Sequence, residues 1–165
     1  MEKATHLVHT APVSRTTPRD CSVASALDVI GDRWSLLAVR ELFLGVTRFN
    51  DMVANTGAPR DVLTARLRKL EDLGVVERRA YSERPPRYDY LLTDAGRDLA
   101  PVLSALRHWG DVHLRDGRPP VLFTHTCGQV YVPEPHCQAC GEVTAPGALR
   151  FAKDEAGRRV DGLPH

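Results

Sequence analysis

Three of the four cysteines lie close together near the C-terminal end of the 165-residue chain. Cys137 and Cys140 have the CxxC spacing that lets two thiolates reach one Zn²⁺ ion at about 2.3 Å. Cys127 and His125 can supply the other two ligands of such a site, because side chains two residues apart on a strand point the same way. The pattern predicts a zinc ribbon with the ligands His125, Cys127, Cys137 and Cys140, and His136 is the other candidate fourth ligand. A ribbon-shaped remnant without metal is the alternative.

The fourth cysteine, Cys21, stands apart from the others at the start of a predicted helix. The positive end of the helix dipole, together with the nearby Arg19, favours a thiolate that could sense oxidants. A small packing residue is the alternative, and it is the commoner role of a free cysteine.

A second set of candidate functional side chains is basic and lies between residues 60 and 87. This stretch has eight Lys and Arg residues against five Asp and Glu residues, although the formal net charge of the chain is only +1. Such a patch is suited to DNA phosphates, and more so when a dimer doubles it. A solvated surface with i, i+4 ion pairs explains the charges equally well, so charge alone does not decide.

Four helices are predicted in the first half of the chain, and the fourth of them carries the first of these basic residues. Apolar residues at helical spacing predict a first helix over 23–30, a second from about Asp32 and a third with Thr47 as its N-cap. A turn signal at 55–57 leads into a fourth helix, which runs to about Asp72. The predicted buried face of the fourth helix consists of Leu63, Leu67 and Leu70.

A hairpin and a last helix complete this part of the chain. Val75 begins a strand, residues 82–86 form a turn, and alternation around Tyr90 predicts the second strand. Thr93 is expected to cap one long final helix. Its apolar stripe, too large for one small domain to cover, consists of Leu99, Val102, Leu103, Leu106 and Trp109.

This order of elements predicts an α+β fold, mainly α: a winged helix-turn-helix DNA-binding domain with a small C-terminal β-rich, zinc-ribbon-like appendage. A helix about 10–12 Å across fits a major groove about 12 Å wide, and the hairpin reaches a neighbouring groove or phosphate. The predicted segments are a mobile arm (1–19), the winged domain (20–116), a linker (117–120), the ribbon-like hairpin (121–150) and a tail (151–165).

Residues 21–114 resemble the HxlR-type winged helix-turn-helix regulators of bacteria, within the MarR-like superfamily. The resemblance rests on motifs spread over the whole domain: 21–31, Arg33-Trp34, 48–50, 63–71, 73–78 and 81–93, with Gly96, Leu106 and Trp109. One departure is Asp32, which stands where a second glycine is common. We expect it to cap the second helix or to tighten the turn before it.

The resemblance implies a homodimer, paired through its first and last helices, that binds an inverted repeat in double-stranded DNA. It implies a transcription regulator, which we predict to be a repressor, without enzymatic activity. The predicted groove-facing residues are Arg60, Asp61, Thr64, Ala65 and Arg68. The predicted wing contacts are Arg84 and Arg87, and the candidate phosphate anchors are Thr47 and Arg48. Some members sense oxidants through a cysteine at the position of Cys21, so a thiol-responsive or ligand-responsive regulator is a further possibility, with an unknown effector.

Other classes of protein fit the sequence less well. No run of about 18 apolar residues is present and residues 1–20 lack a signal-peptide core, so we expect a cytoplasmic protein with reduced thiols and no membrane partner. A thiol or zinc enzyme would need a general base or a phosphate loop beside the cysteines, and neither is evident. An interaction module, in which the ribbon docks a partner and the winged domain only dimerises, is the remaining rival.

Overall fold

The computed structural model describes residues 21–145 and 147–149. Its elements are α1 (Ser22–Ile30), α2 (Arg33–Phe43), α3 (Phe49–Thr56), α4 (Arg60–Asp72), β1 (Val76–Glu83), β2 (Pro86–Leu92), α5 (Asp94–Arg97) and α6 (Ala100–Leu114). The predicted arm (1–19) and tail (151–165) lie outside the described residues. The chain divides into two compact units between Trp109 and Gly110. Within the described ranges, no helix is long and apolar enough to cross a membrane.

The core of the first unit is built around α4. Leu63, Leu67 and Leu70 have no exposed surface, which confirms the buried face predicted from their spacing. They belong to one apolar cluster with Val39 of α2 and Met52 of α3. Burying each such side chain contributes about 1.5–3 kcal/mol, so this cluster fixes where the opposite face of α4 lies.

Asp32 caps α2, as its departure from the family pattern predicted. Its carboxylate accepts hydrogen bonds from the backbone N–H groups of Trp34 (3.1 Å) and Ser35 (3.0 Å) and from the Ser35 hydroxyl (2.5 Å). Arg66 of α4 lies 3.1 Å from the same carboxylate. Partial burial raises the pKa of Asp32, but the Ser35 hydrogen bonds, Arg66 and the Trp34 N–H outweigh it, so the pKa lies below its ordinary value.

A buried carboxylate joins α2 to α3. Glu41 is 2% exposed, and its side chain accepts hydrogen bonds from the neighbouring Arg40 and from the Asn55 amide, the latter at 2.8 Å. A buried charge is tolerated only when it is paired and hydrogen-bonded, and both conditions are met here. Gly57 then ends α3 with a left-handed φ of +69°, and the chain turns into α4.

The hairpin turn is shorter than the sequence predicted. The turn predicted over 82–86 is present but too long at both ends, because Ser82 pairs with Arg87 and Glu83 pairs with Pro86. Only Arg84 and Pro85 remain between the strands. The antiparallel register shifts between Ala80 and Ser82, so Tyr81 is an extra residue on β1. Because pairing resumes beyond this irregularity, Arg84 lies at the tip of the hairpin and Arg87 lies beside it on a paired strand.

The single long final helix that we predicted is two helices. Thr93 does cap a helix, accepting a hydrogen bond from the Gly96 N–H at 3.2 Å, but that helix, α5, ends at Arg97. Pro101 explains the break: it has no N–H to donate to the Arg97 carbonyl, and its ring clashes with that carbonyl in a continuous helix. On α6, Leu103 packs against the core while Leu106 is exposed.

The second unit contains two short turns instead of a regular β-ribbon. Its described part has isolated antiparallel bridges between Thr124 and Val130 and between His136 and Val143. The predicted β-rich character is therefore limited to one bridge in each turn.

Candidate nucleic-acid interface

The face of α4 opposite the three leucines carries the predicted groove-facing residues. Asp61, Ala65 and Arg68 are exposed, and Thr64 is half-buried. The Thr64 hydroxyl donates a hydrogen bond to the Arg60 carbonyl at 2.7 Å, so it already has a partner in its own helix. The burial of one face of α4 thus leaves a polar face of the size that a DNA groove accepts.

Arg60 is held where α3 and α4 both begin. Its guanidinium donates a hydrogen bond to Asn50 Oδ1 at 2.8 Å and lies 5.0 Å from the centroid of the Phe49 ring. Because Arg60 remains exposed, these contacts orient the guanidinium without neutralising its charge.

Several other basic side chains of the 60–87 stretch are already paired within the protein. The ion pairs are Arg66–Asp32 at 3.1 Å, Arg78–Glu71 at 2.8 Å and Arg79–Glu77 at 3.6 Å, and Lys69 Nζ hydrogen bonds the Asp28 carbonyl. The hydrogen bond to Glu71 raises the pKa of Arg78. Arg66, Arg78 and Lys69 bind groups on other elements, so they contribute less to a DNA-binding charge than their number suggests. Arg79 pairs only with Glu77 of its own strand and is 72% exposed, so its charge remains accessible.

Besides Arg60 and Arg79, three arginines of this stretch keep their charge available. Arg68 on α4, Arg84 at the hairpin turn and Arg87 on β2 are exposed, and none of them forms an ion pair with another described residue. They lie on the two elements that a winged helix-turn-helix directs at DNA.

Thr47 is not the N-cap of α3, contrary to the sequence prediction. Arg48 occupies that position, without a side-chain cap. The Thr47 hydroxyl instead donates a hydrogen bond to Asp89 Oδ1 at 2.9 Å, and its carbonyl accepts one from the Tyr90 N–H at 2.9 Å. The Thr47 hydroxyl is therefore bound to β2 and does not cap α3. The two hydrogen bonds of Thr47 join the start of α3 to the wing.

Arg48 is held at the same junction. Its Nε lies 3.7 Å from Asp89 Oδ1, and its guanidinium lies over the Tyr81 ring, 4.2 Å from the centroid. The Arg48 side chain is still 55% exposed, so a phosphate can approach it. Asp89 and Tyr81 could not be identified as partners of Arg48 from the sequence, because both lie more than thirty residues further along the chain.

Cys21 lies at the start of α1, as predicted. It is a free, half-buried cysteine whose side chain makes no capping hydrogen bond. Its carbonyl accepts hydrogen bonds from the Ser25 N–H (3.0 Å) and the Ser25 hydroxyl (3.3 Å). Arg19, expected to lie near the thiol, is outside the described residues.

The predicted metal ligands form two separate pairs. His125 Nδ1 lies 3.2 Å from Cys127 Sγ, and Cys137 and Cys140 share one turn, in which the Gly141 N–H donates to the Cys137 carbonyl at 2.8 Å. The backbone N–H groups of Cys140 and Ala139, followed by the Cys140 thiol, lower the pKa of Cys137. Over the residues that the structure describes, no three His, Cys, Asp or Glu side chains stand together as a metal-binding group.

Comparisons with known proteins agree with this architecture. Residues 29–117 match the model of the HxlR-like helix-turn-helix family. The chain is 47% identical over 123 residues to the "Uncharacterized HTH-type transcriptional regulator MT3179" of Mycobacterium tuberculosis (strain CDC 1551 / Oshkosh), covering 73% of this chain and 78% of that one. It is 41% identical over 91 residues to a regulator of Synechocystis, sll1512, covering 54% of this chain and 67% of that one.

Solved structures give the same result. The putative transcription factor PA1607 superposes with a TM-score of 0.71 at 36% identity, covering 83% of this chain and 97% of that one. The structure described as "Redoxregulator HypR in its reduced form" superposes with a TM-score of 0.53 at 32% identity, covering 59% of this chain and all of that one (100%).

This chain belongs to the HxlR-like helix-turn-helix family. The family is one of transcription regulators, not of enzymes, and its function is exerted by binding DNA. The helix-turn-helix consists of α3 and α4, and the wing is the β1–β2 hairpin.

Proposed function

We propose that this protein is a homodimeric repressor that binds an inverted-repeat operator in double-stranded DNA, in the cytoplasm. The observation that carries the proposal is the division of the basic side chains. Arg66 and Arg78 are held in ion pairs with acids of other elements, whereas Arg60, Arg68, Arg84 and Arg87 are exposed and keep their charge on α4 and the wing. Charge left unpaired on a groove-sized face favours DNA over a role in internal stability.

The two parts of this surface have different tasks. Arg68 faces away from the leucine core in the middle of α4, and an arginine there can donate two hydrogen bonds to a guanine edge. Arg84 and Arg87 lie on a hairpin whose base is tied to the start of α3, so they are suited to phosphate or the minor groove. Base contacts give sequence preference, and phosphate contacts give affinity that depends on salt.

Exposed apolar side chains on α1 and α6 support the dimer. Val23, Leu27, Leu106 and Trp109 are between 50% and 66% exposed, although side chains of this size are usually buried. Exposed apolar faces of this kind mark protein–protein interfaces. A two-fold dimer places two recognition helices in symmetry-related half-sites, which is why we propose an inverted repeat. Repression follows in this proposal because a dimer bound over a promoter excludes polymerase.

Two arginines two residues apart on α4 test the proposal. Arg68→Ala is expected to weaken binding to the operator, found by footprinting the native upstream region, by about 1–3 kcal/mol, with little effect on scrambled DNA. Arg66→Ala is the matched control: it removes the same charge, but from an ion pair with Asp32, so discrimination between the two DNAs is retained. Arg84→Ala should weaken both complexes and flatten the plot of log K against log salt by about 2 for a dimer. Equal losses on both DNAs for Arg68→Ala would contradict the assignment of this face to the groove.

We also propose Cys21 as a candidate thiol sensor. One similar structure is described as a redox regulator, and Cys21 is a free thiol at a helix start. Oxidation by a peroxide should release the wild-type protein from its operator and should leave Cys21→Ser bound. Release of both proteins to the same extent would exclude this role.

A further inference from the structure

Residues 121–145 adopt defined turns without a hydrophobic core. Only Pro133 and Thr144 are partly buried in this stretch, and every other side chain in it is exposed. The buried apolar residues of the described chain all lie between Ile30 and Val76. A segment this short does not bury enough apolar surface to be stable alone, and such segments are usually stabilised by a metal, by disulfides or by oligomerisation. Its three cysteines are free thiols, so disulfides do not supply the missing stability.

The first turn is closed by two backbone hydrogen bonds around Cys127. The His125 N–H donates to the Gln129 carbonyl at 2.9 Å, and the Gly128 N–H donates to the His125 carbonyl at 2.8 Å. Gly128 has a φ of +84°, which a side chain would strain. The turn thus holds the side chains of His125 and Cys127 close together.

The second turn has the same pair of backbone hydrogen bonds, with one more residue between the two proposed ligands. The Cys137 N–H donates to the Glu142 carbonyl at 2.9 Å, and the Gly141 N–H donates to the Cys137 carbonyl at 2.8 Å. Gly141 has a φ of +76° and directly follows Cys140, as Gly128 follows Cys127. Sulfur-binding knuckles need this turn, because it directs backbone N–H groups at the first sulfur of the pair.

We propose that the two turns close on one Zn²⁺ ion, bound by His125, Cys127, Cys137 and Cys140. The turns make His125 equivalent to Cys137 and Cys127 equivalent to Cys140, so each turn supplies two ligands. His125 Nδ1 is 3.2 Å from Cys127 Sγ, close to the separation of about 3.5 Å between nitrogen and sulfur ligands of a tetrahedral zinc ion.

The same equivalence selects His125 over His136 as the fourth ligand. His136 precedes the second turn and has no counterpart to the ligand positions of the first. Its Nδ1 lies 2.9 Å from the Glu134 carbonyl, and its Nε2 lies 3.7 Å from the Glu134 carboxylate. The partners of His136 thus belong to Glu134, outside the second turn, whereas the Nδ1 of His125 contacts the N–H (3.3 Å) and the sulfur (3.2 Å) of Cys127, the other proposed ligand of its turn.

Zinc binding in this segment must be coupled to folding. Within the described residues the ligands stand as two pairs and not as one group of three or four, so the turns have to approach each other to complete a tetrahedron. When a site is not assembled beforehand, the free energy of metal binding is also free energy of folding. Zinc would thus supply the stability that this coreless segment lacks, independently of DNA binding by the winged domain.

The proposal is tested on the full chain by metal analysis after purification without chelators and incubation with zinc chloride. We expect about one tightly bound zinc per chain, and Co²⁺ in its place should show the charge-transfer and ligand-field bands of a tetrahedral thiolate site. His125→Ala and Cys137→Ser should weaken zinc binding at least about 100-fold, since even loss of a residue that only supports a ligand costs about 10–100-fold. His136→Ala is the matched control and should keep the zinc.

Hydrogen exchange on the wild-type protein gives a second readout, which does not depend on whether a variant folds. Removing zinc with EDTA should abolish the protection of amides over residues 125–142 while α4 remains protected. Wild-type protein that stays free of zinc would overturn the proposal. So would protected turns in metal-free protein, or zinc that is retained by His125→Ala and lost by His136→Ala.

Discussion

The hydrogen bond between Thr47 and Asp89 gives a measurable test of how the wing is attached. Thr47 is a candidate phosphate anchor by family resemblance, yet its hydroxyl is engaged by Asp89 at 2.9 Å. We expect its main contribution to be to stability. Thr47→Val and Asp89→Ala, singly and together, separate these two roles, because valine keeps the shape of threonine and has a methyl group in place of the hydroxyl.

The magnitudes follow from the geometry. A hydrogen bond to a carboxylate contributes about 1.5–3 kcal/mol, and we take about 1.5 kcal/mol because the Asp89 side chain is 27% exposed. The Arg48–Asp89 ion pair, at 3.7 Å with Arg48 55% exposed, adds at most about 0.5 kcal/mol after solvent screening. Thr47→Val should therefore cost about 1.5 kcal/mol and Asp89→Ala about 2 kcal/mol.

The double variant should cost about 2 kcal/mol, and not the sum of the two single losses, because both substitutions remove the same hydrogen bond. Urea unfolding at one fixed protein concentration measures all three free energies. If the loss of stability in the double variant equals the sum of the two single losses within about 0.3–0.5 kcal/mol, the coupling between Thr47 and Asp89 is refuted. A Thr47→Val variant that unfolds like the wild type but binds every DNA more weakly would identify Thr47 as a phosphate anchor instead.

The remaining predictions concern the α2 cap and the dimer. Asp32→Ala should cost about 1 kcal/mol at neutral pH. The pKa of Asp32 is lowered in the folded state, so this stabilisation is fully present above the ordinary value of 3.8 and is lost as the pH falls through the lower folded value. A difference between variant and wild type in urea unfolding that does not shrink as the pH is lowered below 3.8 would contradict the cap. Leu106→Glu should give a monomer by light scattering, whereas Leu44→Glu, equally exposed on the α2–α3 turn, should not. A wild-type monomer at micromolar concentration would rule out the dimer.

Features that depend on neighbouring residues were predicted better than those that depend on distant ones. The buried face of α4 and the Asp32 cap were predicted correctly, because both depend on residues within one or two helical turns. Thr47 was misassigned, because a carboxylate on β2 competes with the N-cap position for its hydroxyl. The break after α5 was missed for a different reason. Pro101 is a local signal for it, but the apolar stripe on both sides of Pro101 was interpreted as one continuous helix.

What the sequence determined by itself was the set of elements and their order: four helices, a hairpin and a helical C-terminal part with a cysteine cluster beyond it. These follow from periodicity, caps and turn residues, all of which act over a few neighbouring positions. The assignment of the basic residues was decided only by the tertiary structure. Arg66 and Arg68 are nearly identical in sequence context, but only Arg66 faces Asp32 of another element. Whether a cation is free for DNA depends on which acids the fold brings to it, and local sequence contains no information on that.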